Sequence, residues 1–378
     1  MEREQATKFV NDLLRLMLSR NGSDLFLTAE FPPAIKVDGK ITRVSPQPLS
    51  AQQTMQLART VMNDRQIAEF ERTRECNFAM SPPGLGRFRV NAHIQQGAVG
   101  LVMRAVPTKV PAIDELSLPP VLKEISMTKR GLAIMVGATG SGKSTSLAAM
   151  IDWRNQHAYD HIITIEDPVE FVHAHKNCIV TQREVGLDTE NWDTALKNTL
   201  RQAPDVILMG EIRDRETMEL AMQFSETGHL CLATLHANGA NQALDRIVNF
   251  FPDERRDQLL MDLSLNLRAV VSQRLVPRAT GRGRIAAVEV LINTPLVADL
   301  IFKGQIPEIK ELMKRSREIG MQSFDQSLFD LHESGLVTYE NALRYADSVN
   351  NLRLDIKLNS KAARKPDLLS GTENLTIV

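Results

Sequence analysis

Paired cysteines, membrane-length apolar runs and an excess of charge of either sign are all missing from this sequence. Three cysteines occur in 378 residues, at positions 76, 178 and 231, and none belongs to a Cys-x-x-Cys pair. So sparse a set excludes a disulfide framework and a four-cysteine zinc site, and it fits a reducing compartment. Cys231 lies in the apolar run Leu230-Cys231-Leu232-Ala233, so we expect a small core residue there.

Charge and hydropathy exclude two further classes of protein. The net charge is −1, with 43% hydrophobic and 24% charged residues, which is typical of a soluble globular protein. Without an overall basic field, nothing argues for nucleic acid or an anionic membrane as a partner. No run of about 18 uncharged apolar residues occurs, and residues 1–20 lack the apolar core of a signal peptide. We therefore expect a cytoplasmic protein with no membrane-spanning segment.

Residues 1–107 predict a small α+β domain. Apolar residues at helical spacing in 5–19 predict an amphipathic helix, and residues 51–71 also have a helical pattern. Short alternating runs on either side of Asp38-Gly39 indicate a β-hairpin. Two further strands are predicted at residues 86–93 and 100–106.

Prolines mark the end of this domain. Pro107 and Pro111 remove amide donors and fix φ, so we predict a linker over residues 108–115. A second domain follows at 116–354, and residues 355–378 are predicted to be a mobile tail because their pattern fades into basic and polar residues.

The second domain alternates short, continuous apolar runs with helical stretches. Such runs suit strands buried on both faces of a mostly parallel sheet, which predicts an α/β fold. Residues 296–349 predict a helical subregion at its C-terminal end. The predicted strands are residues 132–136, 162–165, 206–209, 230–234 and 286–291.

A Gly-x-x-x-x-Gly-Lys-Ser sequence follows the first of these strands and precedes a helix-compatible stretch. This strand–loop–helix context is what a phosphate-binding loop requires. Its glycines let successive amides turn toward phosphate oxygens, while Lys143 supplies charge to the β- and γ-phosphates and Ser144 supplies a hydroxyl to Mg²⁺. ATP and Mg²⁺ are therefore the predicted ligands. The predicted site residues are Gly137, Ala138, Thr139, Gly140, Ser141, Gly142, Lys143 and Ser144, with Thr145 capping or supporting the helix.

Polar clusters follow three predicted strands, and the carboxyl ends of parallel strands gather ligand groups at one edge of a sheet. The clusters are residues 164–170, 210–214 and 234–236, with Thr227-Gly228-His229 at the front of the third strand. A common Walker B strand ends in Asp-Glu, whereas this one ends in Gly210-Glu211. Because Asp205 lies at the beginning of that strand, the wrong end for a metal, Glu211 is the predicted metal-site acid.

Each polar group also has a plainer interpretation. An acid after a strand can cap a helix or lie in a solvated turn, and His229 and His236 can be structural histidines that are hydrogen-bonded in turns. The order of three such clusters after a phosphate loop favours a functional set.

Together the clusters resemble the secretion and pilus motor ATPases. The resemblance covers about residues 5–350. The matching segments are 163–171 for the family's Asp box, 209–214 for its atypical Walker B, 226–236 for its His box and 23–39 for the start of its N-terminal PAS-like domain. The resemblance implies a PAS-like α+β domain followed by a RecA-like P-loop ATPase domain.

Within the family, the chain most resembles the type IV pilus retraction ATPases. It begins almost at the PAS-like domain and lacks the tetracysteine motif of the assembly and secretion ATPases. Residues 294–301 occupy the place of a conserved motif of the PilT-like motors but depart from it. That departure, with the segment after Asn350, favours the PilU paralogues.

The resemblance also assigns roles to individual residues. Glu170 would orient or activate the attacking water, and Glu211 would hold Mg²⁺. His229 and His236 would sense the γ-phosphate or relay closure, and the N-terminal domain would contribute Arg89 and Arg104. Positive charge that stabilises phosphoryl transfer can arrive in trans, although either arginine can instead be a solvated strand-edge residue. Arg213 is a less favoured candidate.

These observations predict a hexameric, ATP-hydrolysing motor for type IV pilus retraction and twitching motility. The expected partners are further copies of the chain, a PilT-like retraction ATPase and the inner-membrane platform protein of the pilus, so we expect docking at the inner-membrane base of the machine. The alternative is a nucleotide-gated adaptor with little intrinsic hydrolysis. A nucleic-acid translocase is disfavoured, since no basic, aromatic-studded face is evident.

Overall fold

The structure is a computed structural model that describes residues 3–360, and these divide into two compact units. Unit 1 holds the described chain up to Lys109 together with Pro168–Ala174 and Glu184–Glu190. Unit 2 holds Val110–Asp167, His175–Arg183 and the described chain from Asn191 onward. The main division falls in the proline-rich segment, but two short segments of the later chain belong to unit 1, which the sequence did not indicate.

Unit 1 is built on an antiparallel sheet. Its elements are α1 (Arg3–Ser19), β1 (Asp24–Leu27), β2 (Ala34–Val37), β3 (Lys40–Arg43), α2 (Ala51–Val61), α3 (Asp64–Thr73), β4 (Glu75–Met80), β5 (Arg87–Gln95) and β6 (Ala98–Val106). Within residues 3–360 the strand order is β3-β2-β1-β6-β5-β4. The amphipathic helix expected at residues 5–19 is α1, which buries Val10, Leu14 and Met17 in the core of this unit.

Two local features of unit 1 follow from its turn and cap residues. Asp38 and Gly39 have positive φ of 49° and 77°, as the two-residue hairpin between β2 and β3 requires, so that prediction is confirmed. The helical stretch expected at 51–71 is two helices, because Asn63 starts a second capping box with Gln66.

Unit 2 alternates strands and helices. Its elements are α4 (Val121–Ser126), β7 (Gly131–Val136), α5 (Lys143–His157), β8 (His161–Glu166), β9 (Ile179–Glu184, of which Glu184 lies in unit 1), α6 (Trp192–Thr199), β10 (Val206–Met209), α7 (Arg215–Glu226), β11 (Leu230–Leu235), α8 (Ala240–Asn249), α9 (Arg256–Asn266), β12 (Leu267–Pro277), β13 (Arg284–Ile292), α10 (Pro295–Phe302), α11 (Ile306–Arg315), α12 (Phe324–Glu333), α13 (Tyr339–Tyr345) and α14 (Val349–Asn359).

The sheet of unit 2 has the order β13-β12-β7-β11-β10-β8-β9 in the described part of the chain. The strands β12, β7, β11, β10 and β8 pair in parallel, and β13 pairs antiparallel with β12. A mixed α/β fold with a mostly parallel sheet is therefore confirmed. The sequence missed β9 and β12, since polar side chains such as Gln182, Gln273 and Arg274 interrupt their apolar pattern.

The C-terminal helices of unit 2 extend further than the sequence indicated. α14 reaches Asn359, so residues 355–359 are helical rather than part of a tail, because Leu352 and Ile356 are buried in a satellite core with Phe324. The rest of the predicted tail, residues 361–378, lies outside the described residues. Between residues 3 and 360, no helix has the length and hydropathy needed to cross a bilayer.

Candidate nucleotide-binding site

A tight loop joins β7 to α5, in the strand–loop–helix context that the sequence predicted. Every residue of β7 is buried, so the strand end that leads into the loop is fixed in the core. Gly137 and Gly142 have φ of +153° and +88°, conformations that favour glycine. A Cβ on Gly137 would lie 2.5 Å from Ser141 Oγ, so the loop folds back on itself too closely for a side chain at that position.

The start of α5 leaves amide groups free to bind an anion. The helix begins at Lys143, and its N-cap residue, Gly142, makes no side-chain capping bond. The N–H groups of a first helical turn have no partner within the helix. With the helix dipole, they make this terminus a site for phosphate, and Ser144 and Thr145 lie in that turn.

Lys143 is buried against the loop. Its Nζ donates hydrogen bonds to the carbonyl oxygens of Gly137 at 2.7 Å and Ala138 at 3.0 Å. Burial lowers the pKa of Lys143, and the negative charge of Glu211 acts in the opposite direction. The side chain is therefore a compact positive charge within electrostatic reach of the predicted metal-site acid.

The parallel strands bring three polar segments to the edge where the loop lies. Val136 pairs with Leu235 of β11, and Met209 of β10 pairs with Ala233 of β11 and Ile165 of β8. The residues after these strands therefore leave the sheet on the same side as the loop, as the sequence predicted from the carboxyl ends of parallel strands.

Glu211 is the centre of the contacts at this edge. Its Oε1 lies 3.2 Å from His236 Nε2, and its Oε2 accepts a hydrogen bond from Arg213 Nε at 3.0 Å. Arg213 also lies 3.5 Å from Asp167 Oδ2, so one guanidinium joins the ends of β8 and β10. The structure thus brings together Glu211, His236 and the loop lysine, and it adds Arg213 to the group.

Asp205 lies at the other end of β10, where the sequence placed it. Its Oδ2 accepts a hydrogen bond from the backbone N–H of His161 at 2.8 Å. This carboxylate therefore connects the beginnings of β8 and β10, and the choice of Glu211 over Asp205 agrees with the geometry.

His229 is not brought to the phosphate-loop edge of unit 2. It precedes β11, and its backbone carbonyl accepts a hydrogen bond from Gly131 at the start of β7. Its Nδ1 lies 3.0 Å from Thr227 Oγ1 and 3.1 Å from the carbonyl of Phe224. The length of β11, roughly 20 Å at the usual rise per residue, separates His229 from His236. These contacts are those of a histidine held in a turn.

Glu170 and Arg89 lie together in unit 1. Arg89 donates a hydrogen bond to the carbonyl oxygen of Val169, and its guanidinium lies 3.7 Å from Glu170 Oε1. The same segment is held by Glu184, which pairs with Arg87 at 3.2 Å and accepts a hydrogen bond from the backbone of Val169. The segment 168–174 therefore belongs to the fold of unit 1 although it follows a strand of unit 2.

Arg104 is the more exposed of the two predicted arginines. Its Nε donates to Asp24 Oδ1 at 2.7 Å, and its side chain is 63% exposed whereas that of Asp24 is 4% exposed. The pairing between β1 and β6 places these two residues directly opposite one another. The carboxylate fixes the start of the arginine side chain and leaves most of it in solvent.

Two cavities in unit 2 flank the loop. One of about 400 Å³ is lined by Gly137, Ala138, His236, Asn238 and Arg246, among others. A second of about 300 Å³ lies against residues 137–141 and is also lined by Arg274, Leu275, Arg284 and Tyr345. The first contains the predicted γ-phosphate histidine, and the second offers aromatic and cationic groups beside the same loop.

The residues at this edge fit Mg²⁺ that arrives with a nucleotide. Among the described residues, no cluster of three or more His, Cys, Asp or Glu side chains could hold a metal by itself. Mg²⁺ in nucleotide sites is held by one or two protein oxygens together with phosphate oxygens and water. The Ser144 hydroxyl and the Glu211 carboxylate are oxygen donors of that kind.

Sequence reasoning missed the contribution of β12. Gln273 and Arg274 contact the phosphate loop and the segment after β11, respectively: Gln273 Nε2 donates to the carbonyl of Ser141 at 2.8 Å, and Arg274 donates to the carbonyl of Asn238 at 3.0 Å. The only sequence signal was the short polar run Ser272-Gln273-Arg274 in a mostly apolar stretch.

The chain is similar to known proteins over most of its length. A family model described as type II/IV secretion system protein matches residues 2–341. The type IV pilus ATPase PilU of Pseudomonas aeruginosa is 60% identical over 350 residues, which cover 93% of this chain and 92% of that protein. The type IV pilus retraction ATPase PilT of the same organism is 43% identical over 342 residues, covering 90% and 99%. A crystal structure of the pilus retraction motor PilT with bound ADP has a TM-score of 0.84 at 38% identity, covering 91% and 98%.

Proposed function

The chain belongs to the family of type II/IV secretion system proteins, and from that premise we propose that it is a hexameric motor whose ATP hydrolysis drives type IV pilus retraction and twitching motility. It is an ATPase of the pilus retraction class. Within that class, 60% identity to PilU against 43% identity to PilT supports an accessory, PilU-type motor that works with a PilT-like motor.

One observation carries the proposed site. The phosphate loop at the β7–α5 junction, the buried Lys143 and the Glu211–His236 pair lie at one edge of one parallel sheet. Phosphoryl transfer depends on positioning and on charge stabilisation rather than on covalent chemistry, and this edge supplies both.

In the proposed mechanism, the loop amides and Lys143 hold the β- and γ-phosphates. Ser144 and Glu211 would hold Mg²⁺, which would neutralise phosphate charge. His236 shares a contact with Glu211, so a change at the γ-phosphate reaches the segment after β11 through that pair.

The remaining proposed roles follow the family resemblance. Glu170 orients the attacking water, and Arg89 and Arg104 supply positive charge from the N-terminal unit. His229 lies at the opposite end of β11 from His236, so its proposed role is to relay closure rather than to sense the γ-phosphate. Unit 1 is proposed to be PAS-like and unit 2 RecA-like. The proposed assembly is a homo-hexamer in the cytoplasm, docked on the inner-membrane platform protein at the base of the pilus and paired with a PilT-like motor.

The test compares Lys143→Ala with Lys129→Ala, an exposed lysine just before β7, in the full chain. We expect Lys143→Ala to lose ATP hydrolysis by the purified protein and to abolish its contribution to twitching in a deletion strain, while Lys129→Ala retains both. Undiminished hydrolysis in Lys143→Ala would overturn the site. Loss of hydrolysis with full twitching would instead identify a nucleotide-gated adaptor.

A further inference from the structure

We propose that Gln273 is a positioning residue that holds the phosphate loop in the conformation that binds nucleotide. The inference rests on the proposed nucleotide site in unit 2. It concerns a residue of β12, which lies more than a hundred residues after the loop in the sequence and in none of the motifs that identify the site.

Strand register places Gln273 beside the loop. β12 is parallel to β7, and Ser272 pairs with Val136, the last residue of β7. β7 ends there while β12 continues, so the next residue of β12 stands beside Gly137. On its other side Gln273 pairs with Val288 of β13, and its position is therefore fixed by the sheet rather than by the loop.

The carboxamide of Gln273 is hydrogen-bonded to both the phosphate loop and the helix α5 that follows it. Its Nε2 donates to the carbonyl oxygen of Ser141 at 2.8 Å, and its Oε1 accepts from Ser146 Oγ at 2.8 Å. Ser146 lies in the first turns of α5, so one side chain joins the loop to the helix that follows it. Gln273 is 2% exposed and Ser146 is 1% exposed, and hydrogen bonds shielded from water in this way are strongly directional constraints.

Two glycines of the motif also approach Gln273. A Cβ on Gly137 would lie 2.6 Å from the backbone oxygen of Gln273, and a Cβ on Gly142 would lie 2.7 Å from its Nε2. Both ends of the loop are therefore in close contact with this one residue, and two of the glycines are needed in part because Gln273 fills the adjacent space.

The neighbouring residue fixes the opposite face of the strand. Arg274 pairs with Asp347 at 2.7 Å and donates to the carbonyl oxygens of Tyr345 and Asn238 at 3.0 Å each. Because β12 is held on both faces, Gln273 provides a rigid support. A loop that is already ordered before the nucleotide arrives loses less conformational entropy on binding, which increases affinity.

The experiment uses Gln273→Met in the full chain, since methionine keeps the length of the side chain but neither hydrogen bond. We expect the affinity for Mg²⁺-ADP to fall about tenfold and the KM for ATP to rise about tenfold. The kcat should change much less, because the groups that act on the phosphates remain and only the ordering of the loop at binding is affected. Gln273→Glu should bind ADP more weakly still, since its carboxylate faces the carbonyl oxygen of Ser141. Ser146→Ala removes only one bond and should weaken ADP binding by a smaller factor.

The matched control is Ser272→Ala. Ser272 is the preceding residue of the same strand and is fully buried, but its hydroxyl has no hydrogen-bond partner among the described residues. We expect its ADP affinity, KM and melting temperature to remain those of the wild type. Ser146→Ala also serves as the decisive variant if Gln273→Met does not fold.

Three outcomes would overturn the proposal. One is wild-type ADP affinity in Gln273→Met and Ser146→Ala. Another is a lower melting temperature with an unchanged increase on adding ADP, which would be a purely structural role. The third is a fall in kcat at constant KM, which would be a catalytic role. Lys143→Ala, measured alongside, separates failure of the nucleotide site from failure of the role of Gln273. If Lys143→Ala also retains ADP binding, the proposed nucleotide site is wrong. If Lys143→Ala alone loses ADP binding, the site stands and only the proposed role of Gln273 is wrong.

Discussion

At the scale of single residues, Glu211 and Asp205 have different surroundings because they lie at opposite ends of β10. Glu211 lies between His236 and Arg213, at 3.2 Å and 3.0 Å, whereas Asp205 is occupied by a backbone amide at the other end of the same strand. The residue order of the sequence was sufficient to make this distinction. Arg213 was only a less favoured candidate in the sequence, because its contacts join segments that follow two different strands.

Glu211→Ala should reduce ATP hydrolysis by about 100-fold or more, the magnitude typical of losing a group that acts on transition-state charge. Binding of Mg²⁺-ADP should fall by less, since the loop amides and Lys143 remain. Steady-state kinetics and ADP titration measure the two effects. Glu216→Ala, an exposed acid on α7, is the control and should behave as the wild type. Equal loss in both variants would contradict the assignment.

Glu289 is a buried acid with a different role. Its Oε1 accepts the backbone N–H of Ala240 at 2.7 Å, so it caps α8, whose own N-cap Gly239 has no side chain. Burial raises the pKa of Glu289 to about 7; the bond from Ala240 and the charges of Lys310 and Arg274 oppose the rise, and Asp347 adds to it. Replacing Glu289 with Gln would keep an oxygen that accepts the bond from Ala240 but would remove the ionisable group.

The pH dependence of stability follows from this shift. The pKa of Glu289 is higher in the folded than in the unfolded chain, so the folded state binds more protons between about pH 4.5 and 7 and this group's contribution to stability is lost as pH rises through that window. Relative to the wild type, Glu289→Gln should gain stability between pH 5 and 8, by up to about 3 kcal/mol at one pKa unit per 1.4 kcal/mol. Thermal unfolding across this range measures the difference, with the exposed Glu308→Gln as control. A difference that does not change with pH would contradict the prediction.

At the scale of elements, parallel pairing explains both what the sequence predicted and what it missed. β7, β8, β10 and β11 are continuous apolar runs because both faces are buried. β12 is equally central, between β13 and β7, but it contacts the loop and the helices through polar side chains. A pattern based on hydrophobicity alone cannot recognise such a strand.

The phosphate loop packs closely against β12, and substitution of Gly142 tests whether this contact matters for nucleotide binding. Gly142→Ala combines a positive φ of +88° with a Cβ 2.7 Å from Gln273 Nε2, so we expect loss of nucleotide affinity. Gly281→Ala has a similar φ of +71° in the turn before β13 but no atom within 4 Å. It should lower the melting temperature slightly and leave ADP affinity unchanged. ADP titration and thermal unfolding of both variants decide; equal affinities in the two would contradict the contact.

At the scale of the whole molecule, the division into two units separates residues that the sequence placed in one domain. Glu170 follows β8 of unit 2, yet its segment belongs to unit 1 with Arg87, Arg89 and Glu184. A linear sequence gives no sign of this, since the contacts that decide it join residues about eighty to a hundred positions apart.

The proposed ring predicts complementation between inactive variants. If Arg104 acts on the nucleotide of a neighbouring subunit, Arg104→Ala and Lys143→Ala should each lack hydrolysis, and mixing them should restore part of it, because some sites then combine an intact loop with an intact arginine from the next subunit. The same experiment applies to Arg89→Ala. ATPase assays of co-assembled rings measure the recovery, and the exposed Arg72→Ala is the control with wild-type activity. No recovery at any mixing ratio would contradict action in trans.

Local patterns in the sequence were enough to predict the phosphate loop, four of the buried parallel strands and Glu211 as the strand-end acid, because glycine, lysine and strand-end acids have a physical meaning at short range. The tertiary structure was needed to show that Gln273 of β12 contacts the loop, that one guanidinium, that of Arg213, joins the ends of β8 and β10, and that residues 168–174 belong to unit 1. Those relations depend on strand register and packing between distant segments, which local patterns do not encode.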